Sequence, residues 1–128
     1  MTQEDKELIF KELCARLPYH VKCKIWLKDG TTEEGLLDLQ HNYGDVLQDA
    51  FYYNKIKDIK PYLRPMSSMT EEEKEEYCQL QQRVIYNSKG VVNKDVTKYI
   101  NWCYKKHLDI NNLIPMGLAI DATGLNIY

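Results

Sequence analysis

The hydrophobic period of this chain switches from helical to two at Pro18, and no other feature constrains the fold as much. Before it, Phe10, Leu13, Cys14 and Leu17 recur at helical spacing, and Thr2-Gln-Glu-Asp5 reads as a capping box. Proline lacks an N–H and disfavours helix in the residue before it, so an amphipathic helix over about 3–17 stops there. From Tyr19 the period is two. Val21, Cys23, Ile25 and Leu27 alternate with Lys22, Lys24, Trp26 and Lys28, the pattern of a half-buried strand.

Asp29-Gly30 marks a hairpin whose register can be argued. A two-residue turn would pair odd residues with even ones and set Leu37 and Leu39 on the wrong face. A three-residue loop, Lys28-Asp29-Gly30 with Gly30 left-handed, pairs Cys23 with Gly35 and Val21 with Leu37. It also lets Tyr19 face Leu39, and sets Lys24 opposite Glu34 and His20 opposite Asp38. Asn42-Tyr-Gly-Asp45 is the next turn signal, and Val46–Tyr53 is a β-rich run. A final strand holds Ile56 and Ile59. Pro61 and Pro65 bracket its exit, which predicts an edge or end position in the sheet. The first half thus reads as a helix plus a small antiparallel sheet or half-open barrel.

The second half, 66–128, reads as mainly helical and packed on the first, 3–65, within a single domain. Thr70 with Glu73 makes another capping box, and Tyr77, Leu80 and Val84 give a helix its buried stripe to about Ile85. The glutamates of 71–76 suit the positive end of the helix dipole and are expected to be solvated. Asn87-Ser-Lys-Gly90 breaks the helix. Another follows from about Lys94 to His107, capped by Asn93, with Val96, Tyr99, Ile100 and Cys103 on one face. The apolar tail, Leu113–Ile120, should pack as a turn plus an extended piece. The fold class is α+β with two or three C-terminal helices. The 128 residues, 44% of them hydrophobic, can bury a core without a metal or disulfide staple.

Composition excludes more than it identifies. With 17 Lys+Arg against 19 Asp+Glu, the chain has no global attraction to phosphate backbones or anionic membranes. No apolar run nears the length of a membrane span, and the acidic, polar N-terminus does not resemble a signal peptide. Cys14, Cys23, Cys78 and Cys103 are scattered, and all but Cys78 fall on faces expected to be apolar; reduced thiols in a cytoplasm are the expectation.

Catalytic signatures are absent: there is no G-x-S-x-G, P-loop, G-x-G-x-x-G or H-E-x-x-H. Cys23 and Cys103 lie on apolar faces, where a thiolate is disfavoured. His20-x-x-Cys23 and Cys103-x-x-x-His107 resemble zinc-ligand spacings. However, His20 and Cys23 point to opposite faces of a strand and no knuckle glycine flanks either pair, so neither metal nor cofactor is expected.

The most suggestive residues form two basic, aromatic stretches. One is Lys22, Lys24, Trp26 and Lys28; the other interleaves Lys55, Lys57, Lys60 and Arg64 with Tyr52, Tyr53 and Tyr62. Cations hold phosphates while bases stack on aromatics, so the combination suits single strands. Against this, Glu34 and Asp38 can neutralise the first strip, and ten tyrosines in so short a chain suit a protein–protein surface. Trp26 among lysines needs cover, from the chain's own C-terminal half or from a partner; the first is the expectation.

Two resemblances bear on function. Leu27-Lys-Asp-Gly30-Thr-Thr-Glu-Glu-Gly35-Leu-Leu37 resembles the L-x-x-G-x(4)-G-x-L motif of Sm-like proteins, and Leu47-Gln-Asp49-Ala50 resembles the strand that follows it. An N-terminal helix agrees with that family. The resemblance implies an SH3- or Sm-like barrel and single-stranded RNA or DNA as ligand. The family's D-x-x-x-N loop is matched in spacing by Asp38-Leu-Gln-His41-Asn42, whereas Lys57-Asp58 stands where Arg-Gly or Lys-Gly is usual. Leu13–Tyr19, Ile59–Glu73 and Leu113–Ala119 are similar to short proteins of prophages and mobile elements of gut bacteria. That similarity implies a genomic setting rather than an activity. The leading expectation is a small non-enzymatic binding protein of a phage or mobile element, with a protein partner and self-association possible. An Sm-like nucleic-acid binder is the alternative.

Overall fold

The computed structural model describes residues 2–37, 56–85 and 93–128. Helix α1 (Gln3–Arg16) leads through a 3-10 turn at Leu17–Tyr19 into strands β1 (Val21–Leu27), β2 (Thr32–Leu37) and β3 (Ile56–Leu63). A second 3-10 turn (Met66–Ser68) precedes helices α2 (Glu71–Ile85) and α3 (Asn93–Lys105), and a short strand β4 (Ile120–Asp121) follows. The strand order is β2-β1-β3-β4. The chain is α+β, as its periodicities predict. The Asn42–Asp45 turn, the Val46–Tyr53 run, on which barrel closure depends, and the Asn87–Gly90 break lie outside the described residues.

The hairpin register follows the argument from Gly30. Val21 pairs with Leu37, Cys23 with Gly35 and Lys24 with Glu34. Leu27 N–H donates to the Thr31 carbonyl at 2.8 Å and closes a three-residue loop, with Gly30 at φ +90°. Among the described residues, none beyond the two chain neighbours has a heavy atom within 4 Å of where a Gly30 side chain would begin, so only the backbone penalises a substitution. Gly30→Val should cost on the order of 1–2 kcal/mol, because a β-branched residue is strained at positive φ. A melting temperature equal to the parent's would show that the loop relaxes.

Both capping boxes form. Thr2 and Asp5 exchange backbone–side-chain bonds at 3.0 and 3.2 Å, and Thr70 and Glu73 do so at 3.0 and 3.2 Å. The stripe of α1 is displaced from its expected position. Ile9, Glu12, Leu13 and Arg16 are buried, while Phe10 is 37% exposed and Cys14 is exposed. The physical reason is the Glu12–Arg16 pair. One turn apart, they neutralise each other and are buried together, which rotates the helix away from Phe10 and Cys14.

β3 is an interior strand, not the edge that its prolines predict. It pairs antiparallel with β1 and parallel with β4, so the sheet is mixed. Pro61 is tolerated because of the pairing phase. Leu27 bonds to the β2 side, so Cys23, in the same phase and opposite Pro61, does not call on Pro61 for a donor. On the other flank β4 pairs only with Tyr62 and Leu63. The neighbouring amide of Ile59 donates to its own neighbour, the Asp58 carboxylate, at 2.8 Å.

The core lies on one face of this sheet. Ile9 and Leu13 of α1 meet Val21, Cys23, Ile25, Ile59 and Leu63, and Leu113, Leu118 and Ala119 of the tail complete the cluster. α3 ends two residues before its expected limit. His107 takes the left-handed conformation (φ 59°), its N–H donates to Tyr104 and that of Leu108 to Cys103, a Schellman stop with histidine where glycine is usual.

Candidate binding surface

The opposite face of the sheet carries the residues singled out for binding. Cross-strand pairing sets Lys24 directly opposite Lys60, and Trp26 opposite Asp58. Two ammonium groups facing each other repel. Here each lies over the Trp26 ring, Lys24 Nζ at 5.3 Å and Lys60 Nζ at 5.6 Å from its centroid, where the π-face offsets the repulsion. Asp58 lies 4.0 Å from Lys60. A bulge completes the arrangement. Register shifts between Trp26 and Leu27, whose partners are Asp58 and Ile56, so Lys57 is the extra residue. Strict alternation would send Lys57 to the core face; instead it lines a groove of about 330 Å³ with Trp26, Asp58 and Lys60.

The other expected site residues are placed differently. Tyr62 is buried and donates its hydroxyl to Glu34 at 2.6 Å; burial first, then Glu34, pushes the phenol up to about 12. Lys22 lies 5.9 Å over the Tyr62 ring and 3.8 Å from Glu34, so its charge is partly matched. Lys28 is exposed in the hairpin loop. Arg64 is committed to the scaffold. It donates to both Glu73 oxygens at 2.9 and 2.7 Å and to the carbonyls of Lys106 and Ser68. Tyr53 lies outside the described residues. The structure therefore brings together Lys24, Trp26, Lys57 and Lys60.

Trp26 itself is half-buried. Its recorded ring contacts come from lysines of its own sheet, while the C-terminal residues Leu113, Leu118 and Ala119 pack on the other face. Among the described residues, the groove at Trp26 is lined by Lys57, Asp58 and Lys60 of β3 rather than by residues of the C-terminal half. The tail leucines join Val21 and Cys23 in the core cluster instead.

The glutamate run is only partly solvated. Glu73 is buried and its carboxyl is held down at about 2, chiefly by the Arg64 hydrogen bonds, while Glu76 accepts the Trp102 indole N–H at 2.9 Å. Tyr77 packs 6.1 Å from Trp102, and its hydroxyl lies 2.8 Å from that of Tyr99, which zips α2 to α3.

Sequence reasoning missed two features, and only the first had a signal. Glu12 and Arg16 are four apart on the buried side of a helix, a spacing compatible with an ion pair. Tyr128 carried no signal. Its hydroxyl accepts Lys22 N–H at 2.9 Å and donates to the Tyr62 carbonyl at 2.7 Å, so it sits in the β1–β3 ladder where the next pair would form. Its ring stacks on His107 at 3.7 Å.

The buried nucleophiles are poorly suited to chemistry. Burial pushes the Cys23 thiol up to about 12 and the Cys103 thiol to about 11. Among the described residues no three His, Cys, Asp or Glu side chains converge as metal ligands. His107 is held down at about 4, first by burial and then by Arg16, Arg64 and His20. Because its folded value lies below the ordinary 6.5, the unfolded chain binds the extra proton. Stability should therefore be full above about pH 6.5 and fall towards pH 4, by about 1–3 kcal/mol. His107→Asn, which tolerates positive φ, should flatten that limb in pH-dependent melts. It should leave the further loss between 4.5 and 2, due to Glu73, intact. An unchanged upper limb would show that His107 is not its source.

No protein-family model, curated protein or solved structure matches this chain.

Proposed function

We propose that the chain is a non-enzymatic binding protein that holds an acidic segment of a partner protein in the groove around Trp26. The observation that carries this reading is the convergence of Lys24, Lys57 and Lys60 on one half-buried indole, with Asp58 the acid among the groove residues. An indole supplies contact area at little entropic cost, and flanking cations select an anionic partner and accelerate its encounter. The protonated thiols and neutral buried imidazole support binding over catalysis. No helix among the described residues is long and apolar enough to cross a membrane. The four free cysteines support a reducing, cytoplasmic setting. The similarity of Leu13–Tyr19, Ile59–Glu73 and Leu113–Ala119 to prophage proteins supports a phage or mobile element as its source.

A second reading, single-stranded nucleic acid, is favoured by the indole among cations and by the Sm-like hairpin motif. The withdrawal of Tyr62 and Arg64 into the scaffold leaves it a shorter track. Titration of Trp26 emission, in a Trp102→Phe background, separates the two. A polyglutamate peptide should perturb the emission, and oligouridine or oligothymidine should not. Nucleotide binding that weakens steeply with salt would establish the second reading instead. Silence towards all three probes would remove the groove as a contact surface. Trp26→Ala should abolish the peptide response and cost only about 1–2 kcal/mol of stability, well below a fully buried tryptophan.

A further inference from the structure

We infer that the acidic segment taken by the Trp26 groove is helix α2 of a second copy of this chain, so that two chains pair reciprocally. The inference rests on the binding role proposed for the groove. The chain carries both poles of the interaction. The groove presents Lys24, Lys57 and Lys60 against Asp58. Residues 71–76 read Glu-Glu-Glu-Lys-Glu-Glu, and Glu72 and Glu75 stand at i and i+3, on an exposed face of the first two turns. Glu73, which anchors the helix to Arg64, Glu71, paired with Lys74, and Glu76, bonded to the Trp102 indole, belong to other contacts.

None of the ion pairs recorded among the described residues joins α2 to the groove. The two patches therefore complement each other without meeting in one chain. α2 is also rigidly presented. Glu73 fixes its base to Arg64, the residue after β3, and Tyr77 binds it to Tyr99 of α3, so the glutamates are displayed at little entropic cost. When the groove of each chain takes α2 of the other, the contact is isologous and closes as a two-fold dimer. A contact built on exposed charge is screened by salt, with a Debye length of about 10 Å at 0.1 M.

Sedimentation of the intact chain at two salt concentrations tests this. At low salt the mass should be twice that of the chain, falling to one chain at high salt. Charge reversal of the groove (Lys24→Glu with Lys60→Glu) should give a monomer, as should reversal of the helix (Glu72→Lys with Glu75→Lys). An equimolar mixture of reversed-groove and reversed-helix chains should regain the dimer as a mixed pair, because the acidic groove of one then meets the basic helix of the other while the native groove and native helix meet as before. The chain carrying all four reversals should regain it. Circular dichroism checks that each variant remains folded. A parent that is monomeric at low salt, or a reversed-groove chain that stays dimeric, overturns the inference. Polyglutamate binding to the monomeric parent, read from Trp26 emission, would then leave the groove's binding role standing; loss of both signals would remove both.

Discussion

Arg16→Met should cost about 3–5 kcal/mol, the largest effect expected of any single substitution here. Arg16 is fully buried. Its Nε donates to Glu12 at 2.8 Å, its Nη2 to the Leu108 carbonyl at 2.6 Å, and Tyr104 covers its Cζ at 4.8 Å. Removing the guanidinium strands the Glu12 carboxylate, 2% exposed, with Asn111 as its remaining recorded partner. An uncompensated buried charge dominates that loss. Among the described residues Arg16 Nη1 is buried without an acceptor, so the pair is not an optimal one. Glu12→Leu added to Arg16→Met should therefore recover at least half of the loss, because no charge is then left behind. Denaturant melts of the two variants check both statements. A single-variant loss below about 1 kcal/mol would show that the network does not hold α1 in place.

Leu63→Ala should cost about 2–5 kcal/mol. Leu63 is fully buried among Ile9, Leu13 and the tail leucines, and its carbonyl accepts the Ala122 N–H at 2.8 Å. Truncation opens a cavity at the junction of α1, the sheet and the C-terminal segment. Leu36→Ala, on β2 where the side chain is 48% exposed, should stay within about 0.5 kcal/mol. The contrast tests the position of β3 directly. Comparable small losses from both substitutions would return β3 to the periphery that Pro61 and Pro65 suggest.

The candidate surface was legible in outline. Period-two alternation placed Lys24 and Trp26 on one face, and the pairing confirms that they share it with Lys60. Lys57 belongs to the groove for a reason that alternation would have denied, since it reaches there through the bulge opposite Trp26. Arg64 and Tyr62 illustrate the opposite case. Both lie within the basic, aromatic stretch, yet each has a carboxylate partner elsewhere, Glu73 and Glu34, that withdraws it. Which lysines, arginines and tyrosines remain available depends on where the glutamates arrive. A list of residue types along the chain does not contain that information.

What the sequence by itself determined is what neighbouring residues decide among themselves. The Thr2–Asp5 and Thr70–Glu73 boxes, the end of α1 near Pro18 and the Gly30 register all follow from covalent geometry and from hydrogen bonds spanning a few residues. The tertiary structure alone decided the burial of Arg16, the interior position of β3, the parallel attachment of β4 and the Tyr128 hydroxyl between two strands. Arg16 meets a carbonyl 92 residues away, and Lys22 meets Tyr128 across 106. Such contacts become favourable only after the whole chain has closed around one core, when a charge or a phenol is stabilised by partners that no local pattern specifies.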